Sequence, residues 1–155
     1  MKTMHTLFVI ILVTVCGFAK AEPTANEIVA EVTDNVAMEY AECSAYFSIV
    51  SGAFKSSVEA TKFKETSDQA AIFSLETAKQ SRNESMATKV TLARIEMSLK
   101  DMQKTIDNNY SNISLLSNKY LTPCVDVMRD SSAMIQRWTQ KIQSKYGKEG
   151  KSKSH

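Results

Sequence analysis

The chain has only two histidines among its 155 residues, His5 and His155, and both lie close to its ends. Without a histidine inside the fold, a serine or cysteine nucleophile lacks its usual base. Histidine-ligated zinc, di-iron and haem sites lack their ligands for the same reason. Glycine is also scarce, with four residues, and no phosphate-cradling loop occurs. The sequence therefore predicts a protein that is not an enzyme and that has no metal site and no cofactor.

Residues 1–21 have the pattern of a secretory signal peptide. A basic start at Lys2 is followed by an apolar run, Leu7 to Phe18, and by the small-x-small site Ala19-Lys20-Ala21. The run is too short to cross a bilayer, which takes roughly 20 apolar residues. We expect cleavage after Ala21 and a periplasmic protein, with secretion as the alternative.

Cysteine is rare as well, with three residues and no Cys-x-x-Cys motif, so thioredoxin-like chemistry is not expected. Cys16 falls in the leader, where Val15 does not fit the small residue that precedes a lipidated cysteine. Cleavage leaves Cys43 and Cys124. In an oxidising compartment, two remaining cysteines predict one disulfide.

The mature chain is predicted to be electrically neutral. The chain has 19 Lys and Arg and 17 Asp and Glu, and Lys2 and Lys20 belong to the leader, so 17 basic residues balance 17 acidic ones. We therefore expect no nucleic-acid partner. The charge is unevenly placed, because residues 22–54 carry six acids and no base, whereas 141–155 carry five lysines and one acid.

Apolar residues recur every three or four positions, as on one face of a helix. A first helix would begin at a capping box, Thr24 with Glu27, and end near Gly52. Similar boxes at Ser56 and at Ser81 would open a second helix, ending near Lys79, and a third. The apolar stripes are Val29, Val32, Val36, Tyr40, Cys43, Phe47, Val50 and Phe54 in the first, and Met86, Val90, Ala93 and Met97 in the third.

The position of the next break decides the topology. A third helix continued without a turn would carry Cys124 about 60 Å from its start. A turn at Asn108-Asn109 brings Cys124 back to Cys43, within the roughly 5.5 Å between Cα atoms that a disulfide needs. Pro123 is expected to kink or restart the fourth helix, and whether the chain breaks at Asn108 or Pro123 stays open. We predict an all-α antiparallel bundle of about four helices over residues 22–146, stapled by one disulfide, with a disordered basic tail at 147–155.

Two stretches resemble small exported helical proteins of Gram-negative bacteria that have no assigned function. They are EYAECSAYFSIV, residues 39–50, and IDNNYSNISLLSNKYLTPC, residues 106–124. The resemblance covers about half of the mature chain. It implies a periplasmic location and paired cysteines, and it implies no catalytic or binding residue.

Some residues remain as candidates for a site. Glu31, Asp34, Glu39 and Glu42 would suit a divalent cation or acid–base work, but a solvated helix face explains them better. Six methionines follow the leader, and their scatter favours core filling over Cu(I) binding. Glycosylation sequons at Asn83, Asn109 and Asn112 would matter only in a eukaryotic secretory pathway.

The function predicted from these features is protein–protein interaction in the cell envelope, as an inhibitor, adaptor or chaperone. The predicted partner surface is the amphipathic segment from Ser132 to Tyr146, where Arg137 and Lys141 flank the single tryptophan, Trp138. The alternative is a peripheral protein that contacts anionic membranes weakly through its basic C-terminal helix and tail. The sequence names no partner and no oligomeric state.

Overall fold

The computed structural model describes residues 23–151, which fold into five α-helices and one short 3-10 helix. α1 spans Ala25–Ala53, α2 Ser57–Lys79, α3 Glu84–Thr105, α4 Ser114–Arg129 and α5 Ser131–Lys151, and the 3-10 helix is Tyr110–Asn112. No strand occurs within residues 23–151, so the predicted all-α class is confirmed. The predicted leader, residues 1–21, lies outside the described residues.

α1 is the central helix, since it packs against each of the other four. Its contact with α2 combines aromatic pairs, such as Tyr40 with Phe73, with small side chains that let the two helix backbones approach closely. The hydroxyl of Ser74 donates to the carbonyl of Ala37 at 2.7 Å, and the hydroxyl of Ser67 donates to that of Ser44 at 2.8 Å. These buried hydroxyls are thus satisfied within this contact.

Local capping chemistry sets the helix starts, although only one of the three predicted boxes forms. Thr24 and Glu27 make the predicted capping box of α1. Ser56 precedes α2 but makes no side-chain capping bond, so that box is wrong. α3 is capped by Asn83, whose side-chain oxygen accepts from the amide of Met86 at 3.0 Å, and not by Ser81. Asparagine caps as well as serine does, and here it stands closer to the apolar run.

The chain turns after α3, as predicted. Asp107 and Asn108 have φ of 51° and 54°, the left-handed conformation that Asp and Asn tolerate best among non-glycine residues. Asn109 then caps the 3-10 helix, and the side chain of Asn112 donates to the carbonyl of Ile106. A turn at this point sends the rest of the chain back along α1.

Pro123 does not break the chain, and the expected restart there is wrong. It lies inside α4, and the break comes at Asp130, with φ of −149° and ψ of 106°. An interior proline costs about 3 kcal/mol, but α4 buries Cys124 and Val127 and is bonded covalently to α1, which offsets that cost. The carboxylate of Asp130 accepts from the amide of Ser132 at 2.8 Å and starts α5. The last arm of the fold, residues 114–151, therefore consists of two helices, α4 and α5.

The predicted pairing of the cysteines is confirmed. The sulfur atoms of Cys43 and Cys124 lie 2.08 Å apart and the Cα atoms 5.3 Å apart. Both residues are buried in the main core, which joins the C-terminal half of α1 to α3 and α4. The large side chains that fill this core are Tyr46, Phe47, Ile49, Val50, Met102, Ile106 and Leu116.

α5 continues past the predicted end of the domain. The expected disordered tail began at Gly147, whereas the helix runs to Lys151, and residues 152–155 lie outside the described part. Extending an existing helix adds one hydrogen bond for each residue that it fixes, so two glycines do not stop it.

Candidate functional site

The segment predicted to be a partner surface faces α1. Trp138 is half-buried, and its indole Nε1–H donates to Oε1 of Glu39 at 2.8 Å. The guanidinium of Arg137 donates to the same oxygen at 2.6 Å. Lys141 places its Nζ 4.2 Å from the centroid of the indole ring, within cation–π distance. The structure thus brings the three predicted residues together, at a contact inside the chain.

A second contact of the same kind holds the far end of α5. Glu31 accepts from Lys145 Nζ and from the hydroxyl of Tyr146, each at 2.7 Å. The hydrogen bond from Lys145 is the main cause that lowers the pKa of Glu31, and the same bond raises the pKa of Lys145. Two carboxylates, eight positions apart on α1, therefore hold two points of α5.

The other two candidate acids of α1, Asp34 and Glu42, are partly buried. Asp34 accepts from Arg94 Nη2 at 2.7 Å and also pairs with Arg82. Burial raises the pKa of Asp34, but the two guanidinium groups outweigh burial and hold it below its usual value. For Glu42, burial and then the neighbouring charge of Glu39 raise the pKa. The predicted solvated face is therefore wrong, because three of the four acids bind cations or donors of other segments and Glu42 is half-buried.

These carboxylates do not form a metal site. Among residues 23–151, no group of three or more Asp, Glu, His or Cys side chains lies close enough to hold a metal ion. Three of them, Glu31, Asp34 and Glu39, are each held by two hydrogen-bond or ion-pair donors and so are not free for acid–base work.

An open apolar groove of about 630 Å³ lies at the N-terminal half of α1. α1 forms its floor, α5 one wall and the end of α2 the other. Its lining residues are all uncharged: Ala25, Ile28, Val29, Val32, Thr33, Val36, Tyr40, Thr77, Gln80, Ser131, Ile135, Thr139 and Gln143. Its volume lies within the range of about 300–1,000 Å³ typical of ligand sites.

The groove lies where α5 covers the apolar stripe of α1 only in part. Towards the C-terminal end of the stripe, Cys43, Phe47 and Val50 are buried in the main core with α4. After the break at Asp130, α5 contacts the stripe through Met134, which packs with Val36 and Tyr40, and its polar contacts are with Glu39 and Glu31, to one side of the stripe. Val29 is consequently 62% exposed and Ile135, across the groove, 44% exposed.

Two apolar side chains facing open space between helices suit one more helix or an apolar ligand. Hydroxyl and amide groups among the lining residues supply hydrogen-bonding partners along its rim. The absence of charge in the lining favours an occupant that presents an uncharged surface, because burying an unpaired charge is expensive. The groove can bind, but its lining carries no group that would serve as a nucleophile with an adjacent base.

The sequence predicts the apolar residues of this groove but does not predict that they form a groove. Val29, Val32 and Val36 were expected in the core because they continue the stripe of α1. Their spacing does not tell whether a neighbouring helix covers them. The same holds for α5, where Ile135 shares one side of the helix with Met134, yet Ile135 is 44% exposed and Met134 is 2% exposed.

Comparison with known proteins identified no relative of this chain. No protein-family model matches the chain, and no curated protein and no solved structure matches it significantly. No helix among the described residues combines the length and hydrophobicity needed to span a membrane.

Proposed function

We propose that this chain is an exported, non-enzymatic binding protein that acts by protein–protein interaction in the cell envelope. The disulfide between Cys43 and Cys124 is compatible with an oxidising compartment such as the periplasm. The proposal includes cleavage of the leader, residues 1–21, and agrees with the resemblance to small exported helical proteins.

The finer architecture belongs to this proposal. α4 and α5 together take the place of the fourth helix in an antiparallel bundle. In support, α1 meets the last arm in reverse order, with Cys43 at Cys124, Glu39 at Arg137 and Glu31 at Lys145. Beyond the break at Asp130, α5 covers the stripe of α1 only in part, which leaves the groove open.

The observation that carries the proposal is the uncharged groove with Val29 and Ile135 exposed across it. Its floor follows α1 from Ala25 to Tyr40, about 22 Å at 1.5 Å per residue. An amphipathic helix of about four turns would lay apolar residues at spacings of three and four along such a floor. We therefore propose a helix of an envelope protein as the occupant.

The experiment uses two valines that are matched in type and exposure. Val29 lies in the groove and Val58 lies outside it, near the start of α2, and each is 62% exposed. The mature protein, its Val29→Glu variant and its Val58→Glu variant are immobilised and incubated with periplasmic extract. A partner retained by the wild type and by Val58→Glu, but lost with Val29→Glu, supports the groove.

A second variant, Ile135→Glu, tests the opposite wall and should lose the same partner. If the same proteins are retained by all variants, or if Val58→Glu loses the partner equally, the groove is not the binding site. Far-ultraviolet circular dichroism of each variant checks that the helices are intact.

The alternative, a membrane-associating protein, has less support. It requires free basic groups on α5, but Arg137 and Lys145 are paired with Glu39 and Glu31, and Lys141 lies over the ring of Trp138. Co-sedimentation with vesicles of anionic phospholipid discriminates the two functions. Binding that disappears in 0.5 M NaCl would favour the membrane function over the groove.

A further inference from the structure

α3 has an apolar stripe that the described part of the chain leaves largely uncovered. Met86 is 50% exposed, Met97 is 58% exposed, Ala93 is exposed and Val90 is half-buried. The helix instead turns its opposite face, with Ala87, Thr91 and Met102, towards the rest of the fold. The prediction that this stripe is core is therefore wrong. Core filling is wrong for Met38 also, which is 37% exposed.

The spacing of the stripe is that of a coiled-coil seam. Its members follow one another at intervals of four, three and four, so that Val90 and Met97 take a positions and Met86 and Ala93 take d positions. Lys89 and Glu96 then both occupy g positions at the edge of the seam, where charges choose the partner and its orientation.

These charges disfavour a parallel pairing with a second copy. In a parallel pair, a g residue faces the e residue five positions later on the other helix. That rule would place Lys89 against Arg94 and Glu96 against Asp101, two contacts between like charges, although Arg94 is also paired with Asp34 in its own chain.

An antiparallel pairing removes both conflicts. Val90 then lies opposite Ala93 of the second copy, and Met86 lies opposite Met97. Lys89 faces Glu96 of the second copy, and two-fold symmetry makes this contact twice. Lys89 is exposed and has no ionic partner within the described residues, while Glu96 is 2.7 Å from Lys100 on the exposed side of α3.

The ends of the stripe fix the register. Lys100 and Lys104 fall at the next d and a positions, so sliding the pair by one heptad would bury a lysine against an apolar residue. The two small central residues, Val90 and Ala93, also let the helices approach closely.

From these features we propose that the protein forms a two-fold homodimer through antiparallel pairing of α3, with Met86, Val90, Ala93 and Met97 as its seam. This surface is separate from the groove, so either proposal can fail without the other. The seam is short, and the dimer therefore dissociates on dilution.

Charge reversal tests both the interface and its direction. Lys89→Glu and Glu96→Lys each create two like-charge contacts and should raise the dimer dissociation constant about tenfold, a step that corresponds to 1.4 kcal/mol. Combining them in one chain restores the contacts and should restore dimerisation. Mixing the two single variants should give a heterodimer tighter than either homodimer. Sedimentation velocity over a concentration series measures all four cases.

An apolar control pair lies on the same helix. Met97→Glu, in the seam, should abolish the dimer, whereas Leu92→Glu, at an equally exposed position outside it, should leave the dimer unchanged. A wild-type protein that stays monomeric at millimolar concentration overturns the proposal. So does a double charge reversal that fails to restore dimerisation, or a Leu92→Glu variant as damaging as Met97→Glu. A single variant that misfolds could not form the heterodimer. A tighter heterodimer on mixing therefore shows that loss of the homodimers is not caused by misfolding.

Discussion

The contact between α5 and Glu39 allows a quantitative prediction. The perturbation is Glu39→Gln, Trp138→Phe and the double variant. Glu39 is only 20% exposed in its side chain and accepts the indole N–H at 2.8 Å. A hydrogen bond to a charged group contributes roughly 1.5–3 kcal/mol to stability. The pair with Arg137, whose side chain is 58% exposed, contributes about 0.2–1 kcal/mol.

From these values we expect Glu39→Gln to lower the free energy of unfolding by about 2 kcal/mol, because the neutral amide accepts both bonds less strongly. Trp138→Phe keeps an aromatic ring but loses the N–H donor. If the indole bond is the main contribution, the double variant should be less destabilised than the sum of the singles by about 1–2 kcal/mol.

Urea denaturation followed by circular dichroism measures the free energy of unfolding of the wild type, the two single variants and the double variant, which together form a double-mutant cycle. Trp138 is the only tryptophan, so its fluorescence in wild type and Glu39→Gln reports on α5 itself. Lys62→Ala is a control at an exposed position of α2, for which a change within about 0.5 kcal/mol is expected. Additive effects of Glu39→Gln and Trp138→Phe would show that the two side chains do not interact as the structure has them.

Three further predictions concern the disulfide, the buried acid and the leader. Replacing Cys43 and Cys124 by alanine should lower stability by about 4.5 kcal/mol from loop entropy, and thermal denaturation that shows no change would contradict this. Glu42→Gln should raise the melting temperature at pH 7. Burial and then the charge of Glu39 raise the pKa of Glu42 in the native state. The charged Glu42 therefore destabilises the native state at pH values above its unfolded pKa near 4.5. The increase in melting temperature caused by Glu42→Gln should vanish below that pH. The intact mass of protein recovered from the envelope should begin at Glu22, and a mass that retains the leader would refute cleavage.

The sequence by itself determined the features that depend on neighbours in the chain or on elimination. The capping box of Thr24 and Glu27 is closed within three residues, so tertiary context is not needed to form it. The turn at Asn108 follows from residues that tolerate positive φ. The disulfide followed from two remaining cysteines and from the length of a helix, and the all-α class followed from periodicity.

Only the tertiary structure decided which apolar faces are covered and which charges are paired. Met97 and Met102 lie on one helix at helical spacing from other apolar residues, yet one is 58% exposed and the other 2%. Burial depends on where a neighbouring helix lies, and that position is set by breaks such as Asp130, which local sequence did not mark more strongly than Pro123. Glu39 and Trp138 are 99 positions apart, and no spacing rule relates residues that meet only after folding. The groove and the seam of α3 are therefore products of packing: they are apolar faces that the fold leaves without a partner.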